Sequence, residues 1–227
     1  MPGVGEVGDA YAGCRRRMSE LVLALDAQQA SCPVPACPGW AVHDVTAHVT
    51  GIVDDALAGR LEGVATEPWT AAQVRARRAT PTADVVAEWN DKAPAFEELL
   101  DPAGDIGRQA VADVVTHEHD IRGALDRPGA RHSDAVRIGF EYVARGLVHA
   151  ASERGVGLVV EGVGTPGIGA GEVEVVMRGE PFELLRAMSG RRSVAQLRAL
   201  DIAGDFELLL PAFTFGPFCP SRRDVFE

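Results

Sequence analysis

The chain has 227 residues, 46% of them hydrophobic, and a formal net charge of −11 at neutral pH. That length suits one large domain or two smaller ones, and that apolar content supports a packed core rather than disorder. The acidic balance lacks the basic footprint of a nucleic-acid binder, and no apolar run approaches the ~18 residues that a membrane helix needs.

The N-terminal stretch MPGVGEVGDAYAGCRRRM starts acidic and has no apolar segment, the wrong order for a secretory signal. A cytoplasmic protein is expected. Its four cysteines, Cys14, Cys32, Cys37 and Cys219, are then expected as free thiols. Cys32 and Cys37 stand five apart, too wide for a C-x-x-C redox or zinc pair. The short basic run Arg15–Arg17 reads as a solvated helix face.

In chain order, Tyr11, Cys14, Met18, Leu21, Val22 and Leu25 recur at helical spacing and predict a first amphipathic helix. SCPVPACPG follows, and its three prolines and glycine break the helix. A second helix is predicted over roughly 41–60, with Val42, Val45, Val49, Ile52, Val53 and Ala56 in one stripe. A stretch containing proline and threonine leads to a third helix, about 82–100, with Val85, Val86, Trp89, Phe96 and Leu99 inward. A fourth, roughly 106–126, carries Val111, Val114, Val115, Ile121 and Leu125 and stops at Arg127-Pro128-Gly129. A fifth spans about 133–153.

Beyond Gly155 the period changes. GLVVEGV reads as a strand, and alternation around Val173, Val175 and Met177 predicts another. PFELLRAM reads as a short helix with Pro181 in its first turn and Gly190 as its cap. The expected division is therefore a helical domain over 1–154 and a small α/β domain over 155–227, an α+β chain.

Three ionisable residues fall on faces that should be apolar. His48 lies three residues after Val45 and four before Ile52. Asp113 and His117 stand four apart on one helix face, and His117 shares the row of Val114 and Ile121. Burying such groups is costly unless they are paired or hold a metal, and bundle metal sites combine carboxylate and imidazole from facing helices. A His, His, carboxylate set leaves one tetrahedral position open, the catalytic arrangement for zinc. The spacing equally suits a hydrogen-bonded core histidine and a surface Asp–His pair, so the residues alone leave both readings open. Asp120, on the face of Asp113 and His117, reads equally as an acceptor that orients a ligand and as a buried structural hydrogen-bond partner. Glu118 and His119 are expected at the rim or surface, and His43 exposed. Two motifs fail: His117-Glu118 lacks the second histidine of H-E-x-x-H, and GVGTPG from Gly162 precedes no helix, so it reads as a hairpin loop.

These segments resemble a known family. CPGWAVHDVTAHVTG, from Cys37 to Gly51, resembles the P-G-W-S/T-V-x-D-L-x-A-H-L signature of the mycothiol-dependent maleylpyruvate isomerase family, within the DinB-like bundle superfamily. DVVTHEHDIRGAL, from Asp113 to Leu125, is similar to its second signature, E-x-x-x-H-x-W-D-L-x-x-A. Pro181–Asp205 and the ending FGPFCPSRRD are similar to actinobacterial members.

The resemblance implies an up-down four-helix-type bundle followed by a small C-terminal α/β domain related to sterol-carrier-like folds. It implies a divalent metal, zinc first, held by His48, Asp113 and His117. It also implies mycothiol as thiol cofactor or co-substrate. A metal-activated thiolate would add to a small electrophile and then leave, an isomerisation, or stay, an S-transfer. Arg191 and Arg192 read either as surface arginines or as partners for substrate carboxylates. The sequence departs from the pattern twice: Asp113 stands where glutamate is usual, and His119 where tryptophan is. Those departures keep two alternatives open, a non-catalytic metal- or ligand-binding module and a thiol-independent metal hydrolase.

Overall fold

The computed structural model describes residues 5–227; the first four, which open the stretch read for a leader, lie outside them. The chain forms two compact units that divide between Gly129 and Ala130. No described helix is long and apolar enough to cross a membrane.

The first unit is built on α1 (Glu6–Leu23), α3 (Val42–Leu57), α5 (Thr82–Leu100) and α6 (Asp105–Ala124), with short α2 (Ala27–Ala30) and α4 (Glu67–Arg77) between them. The long helices close a ring in which α1 and α3 each pack on both α5 and α6. This is the expected four-helix bundle. Val42, Val45, Val49 and Val53 of α3 are buried as the stripe predicts. Tyr11, Trp89 and Phe96 meet edge-to-face between α1 and α5, an arrangement aromatic quadrupoles favour. The Tyr11 hydroxyl accepts a hydrogen bond from Trp89 Nε1 at 3.3 Å. Asp26 and Gln29 cap α2 reciprocally. The Asp44 carboxylate accepts the Ala41 N–H at 2.9 Å at the start of α3.

Three expectations fail here. The Arg15–Arg17 run is not a solvated face, since only Arg16 is exposed. Arg15 enters the α1–α5 seam and pairs with Glu97 at 2.7 Å. Arg17 reaches α6 and donates to Glu118 at 2.6 and 2.9 Å. Leu99 points to solvent, and Leu100 takes the buried position instead. Helix α4 lies in the stretch read as a connector. Its buried residues are Gln73, Val74 and Arg77, mostly polar, so no apolar period announces it.

In the second unit, α7 (Asp134–Ser152) packs on β1 (Leu158–Gly162), β2 (Ile168–Ala170) and α8 (Pro181–Met188). With β3 (Val175–Gly179) and β4 (Asp201–Ala203) the strands run in the order β2-β1-β3-β4, and β1 is parallel to β3 while the outer pairs are antiparallel. Leu158, Val160, Val175 and Met177 alternate inward. Short α9 (Val194–Arg198) and α10 (Phe206–Leu209) complete the unit. Gly162–Ile168 forms the expected hairpin loop, with Thr165 N–H bonded to Gly162 O. Gly190 ends α8 at φ +77°, where an added Cβ would sit 2.5 Å from the Cys219 carbonyl oxygen, so glycine is required there. Val173 lies outside β3 and is exposed. Because α7 packs on α8 and the sheet, the compact division falls at the Arg127-Pro128-Gly129 stop rather than at the expected 154/155 boundary.

Glu118, expected at the surface, is fully buried between α1 and α6. It accepts from Cys14 Sγ and Arg122 Nε at 3.0 Å as well as from Arg17. Burial pushes its carboxyl up, but the hydrogen bonds from Arg17 and Cys14 outweigh this and hold it below the ordinary 4.5. A lowered carboxylate contributes stability that is full above its ordinary value and is lost as pH falls through the folded one. Glu118→Leu should therefore destabilise the protein by about 3 kcal/mol or more, since it leaves two guanidiniums without their carboxylate. Chemical denaturation below pH 5 should also show a shallower loss of stability in the variant than in the native protein (roughly the acid limb of a single depressed carboxyl).

Candidate metal centre

Two long helices and one loop build a cluster of imidazole, carboxylate and thiol inside the first unit. Helix α3 supplies His48, and α6 supplies Asp113, His117 and Asp120 at helical spacing. The loop before α3 supplies Cys37 and Trp40. It is folded on itself by Val34 N–H to Trp40 O, Cys37 N–H to Val34 O and Trp40 N–H to Cys37 O, at 2.8, 3.0 and 3.0 Å.

The structure brings His48, Asp113 and His117 together. One ligand atom from each lies within 4.8 Å of the others. His48 Nε2 is 4.0 Å from Asp113 Oδ2, and His117 Nε2 is 3.7 Å from Asp113 Oδ1. Tetrahedral zinc with bonds of about 2.0–2.1 Å puts such atoms about 3.3 Å apart. The two observed separations exceed that value by about 0.7 and 0.4 Å, so the donors close on a cation by moving inward, and two imidazoles with a carboxylate are a donor set that suits a divalent ion. The Asp113 side chain is 36% exposed, while His48 and His117 are buried. The cluster thus has a wall of imidazoles and an accessible carboxylate edge. Trp40 covers the rings, with its centroid 5.2 Å from that of His48 and 6.3 Å from that of His117.

Hydrogen bonds set the tautomer of each ring. His117 Nδ1 is 3.0 Å from Asp120 Oδ2, a carboxylate oxygen that accepts, so Nδ1 carries the proton. His48 Nδ1 is 2.8 Å from Gln73 Oε1, and the Gln73 amide is itself oriented by donating Nε2 to Asp55 at 2.8 Å. Both rings therefore turn Nε2 toward Asp113, the nitrogen that a cation can take in place of a proton and the orientation a metal needs. Burial on its own pushes His117 down, but the Asp113 charge and the hydrogen bonds with Asp120 and Cys37 dominate and raise it to about 10. The surroundings thus favour positive charge on this ring, from a proton or from a cation.

Asp120 sits where the sequence places it, against His117. Gln73, Cys37 and Trp40 are members that sequence reasoning did not assign. Gln73 lies on the unpredicted α4. Cys37 and Trp40 had a signal in their position, ahead of the helix that carries His48. His119 is buried rather than at the rim, because α6 is enclosed by both α1 and α3. His43 is half-buried, with Nδ1 2.9 Å from Thr82 Oγ1. Arg191 and Arg192 lie in the second unit, where Arg191 donates to the Ser189 carbonyl at 2.8 Å and Arg192 pairs with Glu183 at 2.9 Å.

Gly51 decides how closely α4 approaches α3. A Cβ there would lie 2.5 Å from Gln73 Cβ and 2.7 Å from Gln73 Cγ. Gly51→Ala and Gln73→Ala should therefore both release His48 Nδ1. Imidazole ¹⁵N chemical shifts should show the Nδ1–H form of His48 dominating in the native protein and mixed tautomers in both variants, with far-UV dichroism unchanged.

Residues 11–122 match the family profile described as the mycothiol maleylpyruvate isomerase N-terminal domain. Among solved structures, the chain is similar to a crystal structure of the mycothiol-dependent maleylpyruvate isomerase, with 13% identity, a TM-score of 0.53, and 83% of this chain and 90% of that one covered. A histidine-to-alanine mutant of that enzyme gives 15% identity and a TM-score of 0.55, covering 83% of this chain and 89% of that one. No curated protein matches the sequence. By that profile match, residues 11–122 form a mycothiol maleylpyruvate isomerase N-terminal domain, and the solved structures share the fold of the chain.

Proposed function

We propose that His48, Asp113 and His117 hold one divalent cation, zinc foremost, and that the protein is a mycothiol-dependent enzyme, an isomerase or S-transferase acting on a small electrophile. The observation that carries this reading is the convergence of two Nε2 atoms on one carboxylate in a site with an accessible edge. A cation held there stabilises thiolate over thiol, making a thiol co-substrate nucleophilic at neutral pH. Asp120 and Gln73 hold the Nδ1 side of the imidazoles, and Trp40 packs over both rings.

The shorter arm of Asp113 favours a weaker site than a glutamate would make, and Asp113→Glu tests this. The variant should bind zinc at least as tightly as the native protein, as read by chelator competition. Elemental analysis of zinc-loaded Cys37→Ser protein should find about one divalent ion per chain, lost when His117→Ala is added because a three-ligand site deprived of one ligand no longer holds zinc against a chelator. Mycothiol added to cobalt-loaded Cys37→Ser protein, whose own nearby sulfur is removed, should produce a sulfur-to-cobalt charge-transfer band. Turnover of an electrophile panel that requires both metal and mycothiol completes the case. Metal and thiol binding without turnover overturns the enzymatic reading in favour of a binding module, and metal-dependent ester hydrolysis in thiol-free buffer overturns the thiol-dependent one.

A further inference from the structure

His117 has a second face. Its Nε2 turns to Asp113, while its Nδ1 turns to Asp120 and Cys37. Cys37 Sγ is 3.1 Å from Asp120 Oδ2 and 3.8 Å from His117 Nδ1, and Asp120 Oδ2 is 3.0 Å from His117 Nδ1. Thiolate and imidazole on one tetrahedral zinc, with bonds of about 2.3 and 2.0 Å, stand about 3.5 Å apart, and imidazole and carboxylate about 3.3 Å. The three observed separations bracket those values. The donors come from two segments, the loop before α3 and helix α6, so their meeting is not a product of helical spacing alone. Asp120 is buried and Cys37 half-buried, which gives an ion a carboxylate inside and a sulfur on the approach side.

We propose that Cys37 Sγ, His117 Nδ1 and Asp120 Oδ2 form a second cation site, selective for a thiophilic divalent ion, on the side of the His117 ring opposite Asp113. Thiolate and imidazole donors favour zinc, cadmium or cobalt over magnesium and calcium. Binding releases the thiol proton to solvent and requires Nδ1 to give up its own: with the first site empty that proton moves to Nε2 and one proton leaves per cation, with the first site filled it leaves as well and two protons leave, and Sγ, Nδ1 and Asp120 Oδ2 each give a lone pair to the ion. No oxidation or reduction is involved. The site shares one residue with the proposed catalytic centre but uses the other nitrogen, so it stands without Asp113 or His48. With both positions filled, the ring bridges two ions as an imidazolate.

The test is a cobalt titration with no small thiol present, on native, Asp113→Ala, Cys37→Ser and Cys32→Ser proteins. Native and Cys32→Ser proteins should bind about two equivalents and show a near-ultraviolet sulfur-to-cobalt band. Cys37→Ser should lose that band and one equivalent while keeping the visible d–d absorption of the first site. Cys37→Ala, with far-UV dichroism as a check of folding, should repeat that result. Asp113→Ala should keep the band and lose the other equivalent. The absence of any sulfur band in native protein at excess cobalt, or its persistence in both Cys37 variants, would overturn the proposal. A sulfur band in a native protein that takes up a single equivalent supports this site and counts against the one at Asp113, so the two readings fail separately.

Discussion

Everything at the centre depends on the direction in which two buried imidazoles point. A histidine in a helical bundle has two nitrogens and one proton, and whichever nitrogen finds an acceptor leaves the other as a ligand. Here the acceptors, Gln73 Oε1 and Asp120 Oδ2, lie at Nδ1 in both rings. Both Nε2 atoms therefore face Asp113. Without those two hydrogen bonds, the same three residues would be an imidazole pair beside a half-exposed carboxylate.

The rest of the first unit keeps those acceptors in place. Asp120 needs no help beyond α6, because it sits one turn from His117. Gln73 depends on α4, and α4 reaches α3 only because Gly51 has no side chain. Helix α6 is in turn fixed against α1 by Glu118, one residue from His117 but on the opposite face, where it gathers Arg17, Arg122 and Cys14. A buried carboxylate serving two guanidiniums is costly to expose and therefore resists sliding or rotation of one helix on the other. The interaction that sets helix register and the one that sets the site are thus on opposite sides of the same helix.

How much of this the sequence discloses follows from how each feature is encoded. The long helices show themselves through apolar periods, and His48, Asp113 and His117 through polar residues interrupting those periods. Asp120 is legible because helical spacing alone places it beside His117. Helix α4 is not legible, since its contacts are made by Gln73 and Arg77, which look like surface residues in any pattern count. Glu118 and Arg15 are hidden for the same reason, because a charge that is paired across two helices cannot be told from a solvated one until the partner is known. Helix α7 was assigned to the bundle by its period, which says that a helix has an apolar face but not what covers it. Cys37 and Trp40 fall between these cases, next to a signature in sequence but placed in the site by loop hydrogen bonds that no spacing rule describes.

The central claim is geometric, and the most direct measurement is anomalous diffraction at the zinc edge from crystals of Cys37→Ser protein loaded with one equivalent of zinc. The account predicts one anomalous peak within bonding distance of His48 Nε2, His117 Nε2 and an Asp113 oxygen, with Nδ1 of each ring still bonded to Gln73 and Asp120. A peak elsewhere on the chain, or rings turned so that Nδ1 faces Asp113, would contradict it.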